Sequence, residues 1–398
     1  MKILSHFVWS VALLGALLVP SARAADAASE ARIVKIVGSG SATVSVNGQA
    51  VPASEQMVVP LNAVIKTSGQ EIYLEVGTGV VATVKNNSEV AVDTLTATDS
   101  ILDLRQGRVI TQIDKNRKTP KTFGVKVGKG VAAARGTGFT VTNDVTGFSI
   151  TTTADSVSFT GPAGTLTIQA GQYSFTPAGS STPGPSVSLA TAAADPQVAG
   201  IIRDAVSTAA TVVQNNLGSI SADAATSILT QTVAVAVTAL PQEATTFTST
   251  VISAATASGS ATATSPEAAA NVAGAVTAAA VTAAPDQAST IAGAAAAAAP
   301  GQAGVVTAVA QQVAPAAKDA IAQQVAASTG QSTSTVQSNA DASSTAASSA
   351  VNTAKDATSN VVSQPQSPSN QPTPSNPSDQ NTTPVNQIDP TQNVTPAI

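Results

Sequence analysis

The spacing of apolar residues changes once along this chain, and that change governs what each half can build. From Arg32 to about Ala178 apolar residues recur at every second position in short runs. Beyond Pro196 they recur at three- and four-residue spacing behind a series of prolines. Period two sends alternate side chains to opposite faces of a strand, whereas the longer period paints a stripe on a helix. In the first half Ile72, Leu74 and Val76 alternate with Tyr73 and Glu75, as a strand with one wet face should. Arg32–Val37, Thr43–Val46, Val80–Val84 and Phe123–Val127 read the same way. Asn47-Gly48 supplies the positive φ that a tight hairpin needs. Ile101–Leu104 and Val109–Ile113 read as two strands with a turn at Gln106-Gly107-Arg108. Residues 32–178 are therefore expected to form an all-β domain without helical crossovers. About 145 residues suffice for one hydrophobic core.

Within that span the most distinctive stretch is Ala132-Ala133-Ala134-Arg135-Gly136-Thr137-Gly138-Phe139-Thr140-Val141. Phe139 and Val141 fall on one face at period two. Gly136 and Gly138, on either side of Thr137, suggest a bulge or a close backbone approach. Arg135 is the single charge in an apolar neighbourhood. Its guanidinium either ties adjacent loops together through backbone carbonyls or receives a carboxylate or phosphate. The stretch resembles the Arg-Gly-Thr-x-Phe-x-Val signature of the FecR domain, a β-rich module of exported and membrane-anchored bacterial proteins. Ala63–Gly69, Leu104–Val109 and Ala170-Gly171-Gln172 resemble further turns of that family. Val127-Gly128 and Ala154-Asp155 depart from its pattern at two other turns.

The resemblance implies a roll- or sandwich-like fold in which Arg135, Gly136, Thr137, Phe139 and Val141 are structural. Regulatory members place a cytoplasmic anti-sigma part before a transmembrane helix and this module after it. Here only Met1–His6 precede the apolar segment, so the expectation is a module without a sigma-binding part. It would contact an envelope protein or a cell-wall component, or relay a signal through a membrane-bound partner.

Residues 1–24 read as a signal peptide: Lys2, an apolar core from Phe7 to Val19, and Ala22-Arg23-Ala24 as the cleavage site. That core is shorter than the about 20 residues a membrane span needs. The expectation is an exported protein, periplasmic or on the outer cell surface, with no integral span after cleavage. Cleavage removes His6 and Trp9, the single His and Trp of a chain with 0 Cys. Disulfides, Cys or His metal sites, and nucleophiles activated by His are then excluded. Glu89, Asp93, Asp99 and Asp103 read as solvated strand ends rather than paired catalytic carboxylates, and no catalytic, cofactor or metal site is assigned.

Ala25–Ala178 is nearly neutral, while the chain from Gly179 onward is acidic and poor in charge. The one basic cluster comprises Lys115, Arg117, Lys118, Lys121, Lys126 and Lys129. Solvated lysines that discourage edge pairing explain it. An anion contact through Lys115, Arg117, Lys118 and Lys121 is the sharper alternative. Nucleic acid is not expected as a partner of an exported chain. A carbohydrate-binding reading is weakened by an aromatic content of only 3%.

Residues 179–194 read as a Pro/Gly/Ser linker. Residues 195–329 carry a loose repeat, Pro-x-x-Ala-x-x-(Ile/Val/Phe), at Pro196, Pro241, Pro266, Pro285, Pro300 and Pro315. The last copy has Lys318 in place of Ala. Proline opens a helix and bars its predecessor from the α region. Short Ala-rich helices stacked as hairpins follow, or a kinked arm that needs a partner. Residues 330–398, rich in Ser, Thr, Asn, Gln and Pro, are expected to be a disordered tail.

Overall fold

The computed structural model describes residues 30–119, 121–136, 138–359 and 361. The expected signal segment and the tail from residue 362 lie outside them. The strands are β1 (Ala31–Val37), β2 (Ser41–Val46), β3 (Gln49–Pro52), β4 (Val58–Val59), β5 (Val64–Ser68) and β6 (Glu71–Val76). There follow β7 (Val80–Val84), β8 (Glu89–Leu95), β9 (Asp99–Ile113), β10 (Thr122–Val127), β11 (Gly130–Ala134) and β12 (Gly138–Asp144). β13 (Gly147–Ala154), β14 (Ser156–Gly161), β15 (Gly164–Gln169), β16 (Gln172–Pro177) and β17 (Ser186–Ser188) complete the set.

Pairing registers sort them into two sheets that share one strand. The first sheet runs β4-β1-β6-β7-β9-β12-β13-β16-β17, antiparallel throughout. The second runs β3-β2-β5-β8-β9-β10-β11-β14-β15, antiparallel except for the parallel β9–β10 pair. β9 belongs to both. Its Ser100–Gln106 part pairs in the second sheet and its Gly107–Ile113 part in the first. The turn expected at Gln106-Gly107-Arg108 is thus a bend inside one continuous strand. Gly107 sits there at φ 92°, and a Cβ on it would strike Ser88. The sandwich core holds Ile33, Ile65, Leu74, Leu102, Phe123, Phe139 and Ile150, each 1% exposed or less.

The first sheet is also covered on its outer face. Along β7, Val80, Ala82 and Val84 point into the sandwich, whereas Val81 joins a second core with Tyr73 and the helices. That core comes from α1 (Leu189–Ala192), α2 (Pro196–Gln214), α3 (Ala222–Ala239), α4 (Ala244–Thr256) and α5 (Pro266–Ala283). α6 (Ala288–Ala298), α7 (Ala303–Val313), α8 (Lys318–Thr329), α9 (Thr333–Ala342) and α10 (Ser344–Thr358) extend the array. α2, α4, α6 and α8 stack in one row and α3, α5, α7 and α9 in another, with α10 laid across α3, α5 and α7. α2 packs on β9 and β12, and α3 on β13. The described residues therefore form three layers: outer sheet, shared-strand inner sheet, helices.

Proline sets the helix ends as the sequence implies. Leu240, Ala284, Ala299 and Ala314, each before a proline, adopt φ from −138° to −124° and ψ from 68° to 77°. The proline then opens a 3-10 turn that leads directly into the next helix. Buried Thr248, Thr277 and Thr307 each donate to the carbonyl four residues back at 2.7 Å, so these three hydroxyls enter an Ala-rich core already satisfied. Lys318 is exposed because α8 ends its row, whereas Ala244, Ala288 and Ala303 in the same place are buried against a neighbour.

Two boundaries need correction. The expected linker 179–194 contains β17 and α1, and Leu189 is fully buried. The expected disordered tail begins with two ordered helices, α9 and α10. They bury Val336, Ala340, Ala347, Ala350, Val351 and Ala354. Their apolar stripe is made of small residues at helical spacing, and α5 and α7 supply the surface it lacks alone. Among the described residues no helix is long and apolar enough to cross a membrane.

Candidate functional site

The basic loop 114–121 carries the chain from the end of β9 in the inner sheet to β10 in the outer one. Asp114 anchors it. One carboxylate oxygen accepts from the Asn116 amide at 2.7 Å and the other from the Ser221 amide, just before α3, at 2.8 Å. Arg117 closes it by donating to the carbonyls of Asp114 at 3.1 Å, Lys121 at 3.3 Å and Ala134 at 3.4 Å. Burial pushes the Arg117 guanidinium down to about 10 against the pull of Asp114, and the nearby Arg135 charge adds to the shift. The carbonyl-tying role that the sequence allowed for Arg135 is thus performed by Arg117.

Arg135 itself is exposed. It borders an open groove of about 370 Å³ lined also by Thr122, Ala133, Ala134, Gly136, Ser156 and Ser158. A Cβ on Gly136 would overlap Lys115, so the glycine lets the end of β11 pass against the basic loop. The register of β12 against β13 shifts between Gly138 and Phe139, which places a bulge at the second glycine. Phe139 and Val141 are fully buried in the sandwich. Thr137 lies outside the described residues.

Lys115, Lys118 and Lys121 are exposed around the same end of the β body. Lys115 faces Asp155, whose pKa is raised by burial and partly restored by that lysine and by Gln231. Asp155 stands at φ 51°, a conformation Asp tolerates, at the turn where the chain departs from the family pattern. Among the described residues, none of Lys115, Lys118, Lys121 and Arg135 enters an ion pair. Lys126 behaves differently, pairing with Asp93 at 3.5 Å and Asp103 at 3.8 Å. Glu89 joins Lys66 at 3.0 Å and Arg105 at 3.1 Å, and both lower its pKa. The carboxylates at 89, 93 and 103 are therefore engaged in ion pairs on the outer sheet.

Residues 63–158 match the family model described as FecR protein. Over these residues the chain is similar to FecR domains. The match runs from just before β5 into β14 and takes in the contiguous middle of both sheets, including shared β9 and the Arg135 groove. β1–β4 and β15–β17 add the sheet edges around the matched stretch, and every described helix lies beyond it. Two crystal structures of a candidate anti-sigma factor from Parabacteroides distasonis ATCC 8503 align with 30% of this chain at 12% identity. Their TM-scores are 0.27 and 0.26, over 57% and 55% of their own length. The chain thus spans little more than half of those proteins. No curated protein matches it.

Proposed function

We propose that this chain is a non-enzymatic, exported contact protein whose FecR domain receives an anionic group of an envelope protein or cell-wall component at Arg135. The observation that carries the reading is the division of labour between two arginines. Arg117 is spent on three carbonyls, while Arg135 stands exposed in a groove also lined by Thr122, Ser156 and Ser158. A planar guanidinium with neighbouring hydroxyl donors suits a carboxylate or phosphate, and Lys118 and Lys121 extend the positive field. The helices brace the back of the inner sheet and reach the basic loop at Asp114 and Lys115, while the Arg135 groove is lined by residues of the β body.

The test is capture from envelope fractions with the full chain as bait, because a β body cut after residue 178 would uncover Tyr73 and Val81. A partner should be retained by the parent and lost on Arg135→Ala, with the circular dichroism spectrum unchanged. Retention of every partner by Arg135→Ala refutes the reading. A signal-relay role is the second reading, and the FecR match favours it. It requires the captured partner to be a membrane-embedded regulator.

A further inference from the structure

A second concavity lies on the inner sheet, away from the Arg135 groove, where β16 passes the start of α2. It encloses about 440 Å³, within the ~300–1,000 Å³ typical of small-molecule sites. Tyr173 and Phe175 stand two apart on β16 and share the face that lines it. Val187 of β17 and Val198 and Ile201 of α2 complete its apolar wall. Phe175 and Val187 remain 38% and 39% exposed, among the large apolar residues left open to solvent.

The polar side is held in place before any ligand arrives. The Thr142 and Ser149 hydroxyls lie 2.6 Å apart on adjoining strands, and both residues line the cavity beside Tyr173. Asp144 is fixed by the Thr146 amide at 2.7 Å and the Thr146 hydroxyl at 2.6 Å, contacts that hold its pKa below the usual range. Asp195, the residue capping α2, accepts from the Gln197 amide at 2.8 Å. Arg108 also borders the cavity, but its charge is already answered by Asp204 of α2. The net charge facing the cavity is therefore negative.

We infer that this cleft binds a neutral saccharide unit, with Phe175 and Tyr173 as the stacking platform and Asp144, Asp195 and Gln197 as hydrogen-bonding rim. The C–H face of a pyranose is apolar and packs on an aromatic ring, while its hydroxyls donate to fixed carboxylates. Preorganised acceptors avoid the ordering cost that mobile ones would impose. Phosphates, sialic acids and uronic acids are disfavoured by the two carboxylates. An added peptide strand would find only the three-residue edge of β17, too short for good augmentation. The sequence offered too few aromatics to suggest such a site, and the fold gathers two of them. The inference goes beyond the Arg135 reading and uses none of its residues.

The test applies the full chain to an array of neutral, sialylated and uronate-bearing glycans, with nona-arginine as a cationic peptide probe. Retention on neutral glycans is expected, insensitive to salt because no net charge is exchanged. Phe175→Ala should weaken it at least about tenfold, the scale of burying one aromatic side chain. Circular dichroism checks that this half-exposed position leaves the fold intact. Gln197→Ala, on the exposed start of α2, should weaken binding in the same direction, and Val51→Ala on β3 should not. Failure to retain any neutral glycan, preference for the charged glycans or the peptide, or binding unaltered by Phe175→Ala would each overturn the inference. Arg135→Ala should leave glycan retention unchanged, so the two proposals fail separately.

Discussion

Arg117 and Arg135 come to the same end of the β body, the first bonded to three carbonyls and the second exposed, and their replacement should separate them. Arg117→Ala removes donors to three carbonyls and should lower stability by about 1–3 kcal/mol. Arg135→Ala should stay within about 0.5 kcal/mol of the parent, as exposed positions do. Urea unfolding measures both, and equal losses would contradict the assignment. Nothing in the basic run distinguished Arg117 beforehand, because the Ala134 carbonyl it reaches lies 17 residues along the chain. Tyr73 gives a prediction in pH. Burial between the inner sheet and α2 raises its pKa from 10.0 to about 12, opposed in part by the Thr211 hydroxyl. The unfolded chain then releases this proton at lower pH than the folded one. The stabilisation is complete below pH 10 and is lost as pH rises through 12, about 2–3 kcal/mol in all. Tyr73→Phe should flatten that part of the stability profile, measured by urea melts between pH 9 and 12.

At the scale of single elements, close approach decides which glycines tolerate a side chain. Gly274 of α5 faces α10 so closely that an added Cβ would meet the Ala350 Cβ at 2.5 Å. Gly274→Ala should therefore destabilise by about 1–3 kcal/mol despite the better helix propensity of alanine. Gly200 of α2 has nothing within 4 Å of the same atom, so Gly200→Ala should stabilise by about 0.5–1 kcal/mol. Thermal melts of the two variants should move in opposite directions. The helix ends were legible from proline chemistry, and so were most strands, from alternation and turn residues. β9 was not. Gly107 at a turn and Gly107 at a bend give the same local signal, and only the partners on either side of it show that the strand continues into the other sheet. α9 and α10 were missed because Val336, Ala340 and Ala350 are too sparse to pay for order alone; their burial depends on α5 and α7.

Across the whole molecule, the inner sheet and the helices meet through a core that also contains charge. Lys85, with a side chain only 7% exposed, pairs with Glu71 at 2.5 Å and with Asp204 of α2 at 3.8 Å. Arg108 pairs with the same Asp204. Asp204→Ala should cost about 1–3 kcal/mol, discounted from a fully buried pair because Asp204 is partly exposed. If β body and helices form one cooperative unit, far-UV circular dichroism and tyrosine fluorescence should report the same shift in the urea midpoint. Divergent transitions would show that the layers unfold separately. By itself the sequence determined the secondary structure class of each half, the places where proline ends a helix, and the absence of Cys, because these depend on residues near one another in the chain. The tertiary structure alone decided which arginine is spent and which is open, and that an inner sheet is covered on both faces. It also decided that Tyr173, Phe175, Asp144 and Asp195 border one cleft. Those outcomes depend on groups far apart in the chain, and period and composition carry no record of which distant surfaces will meet.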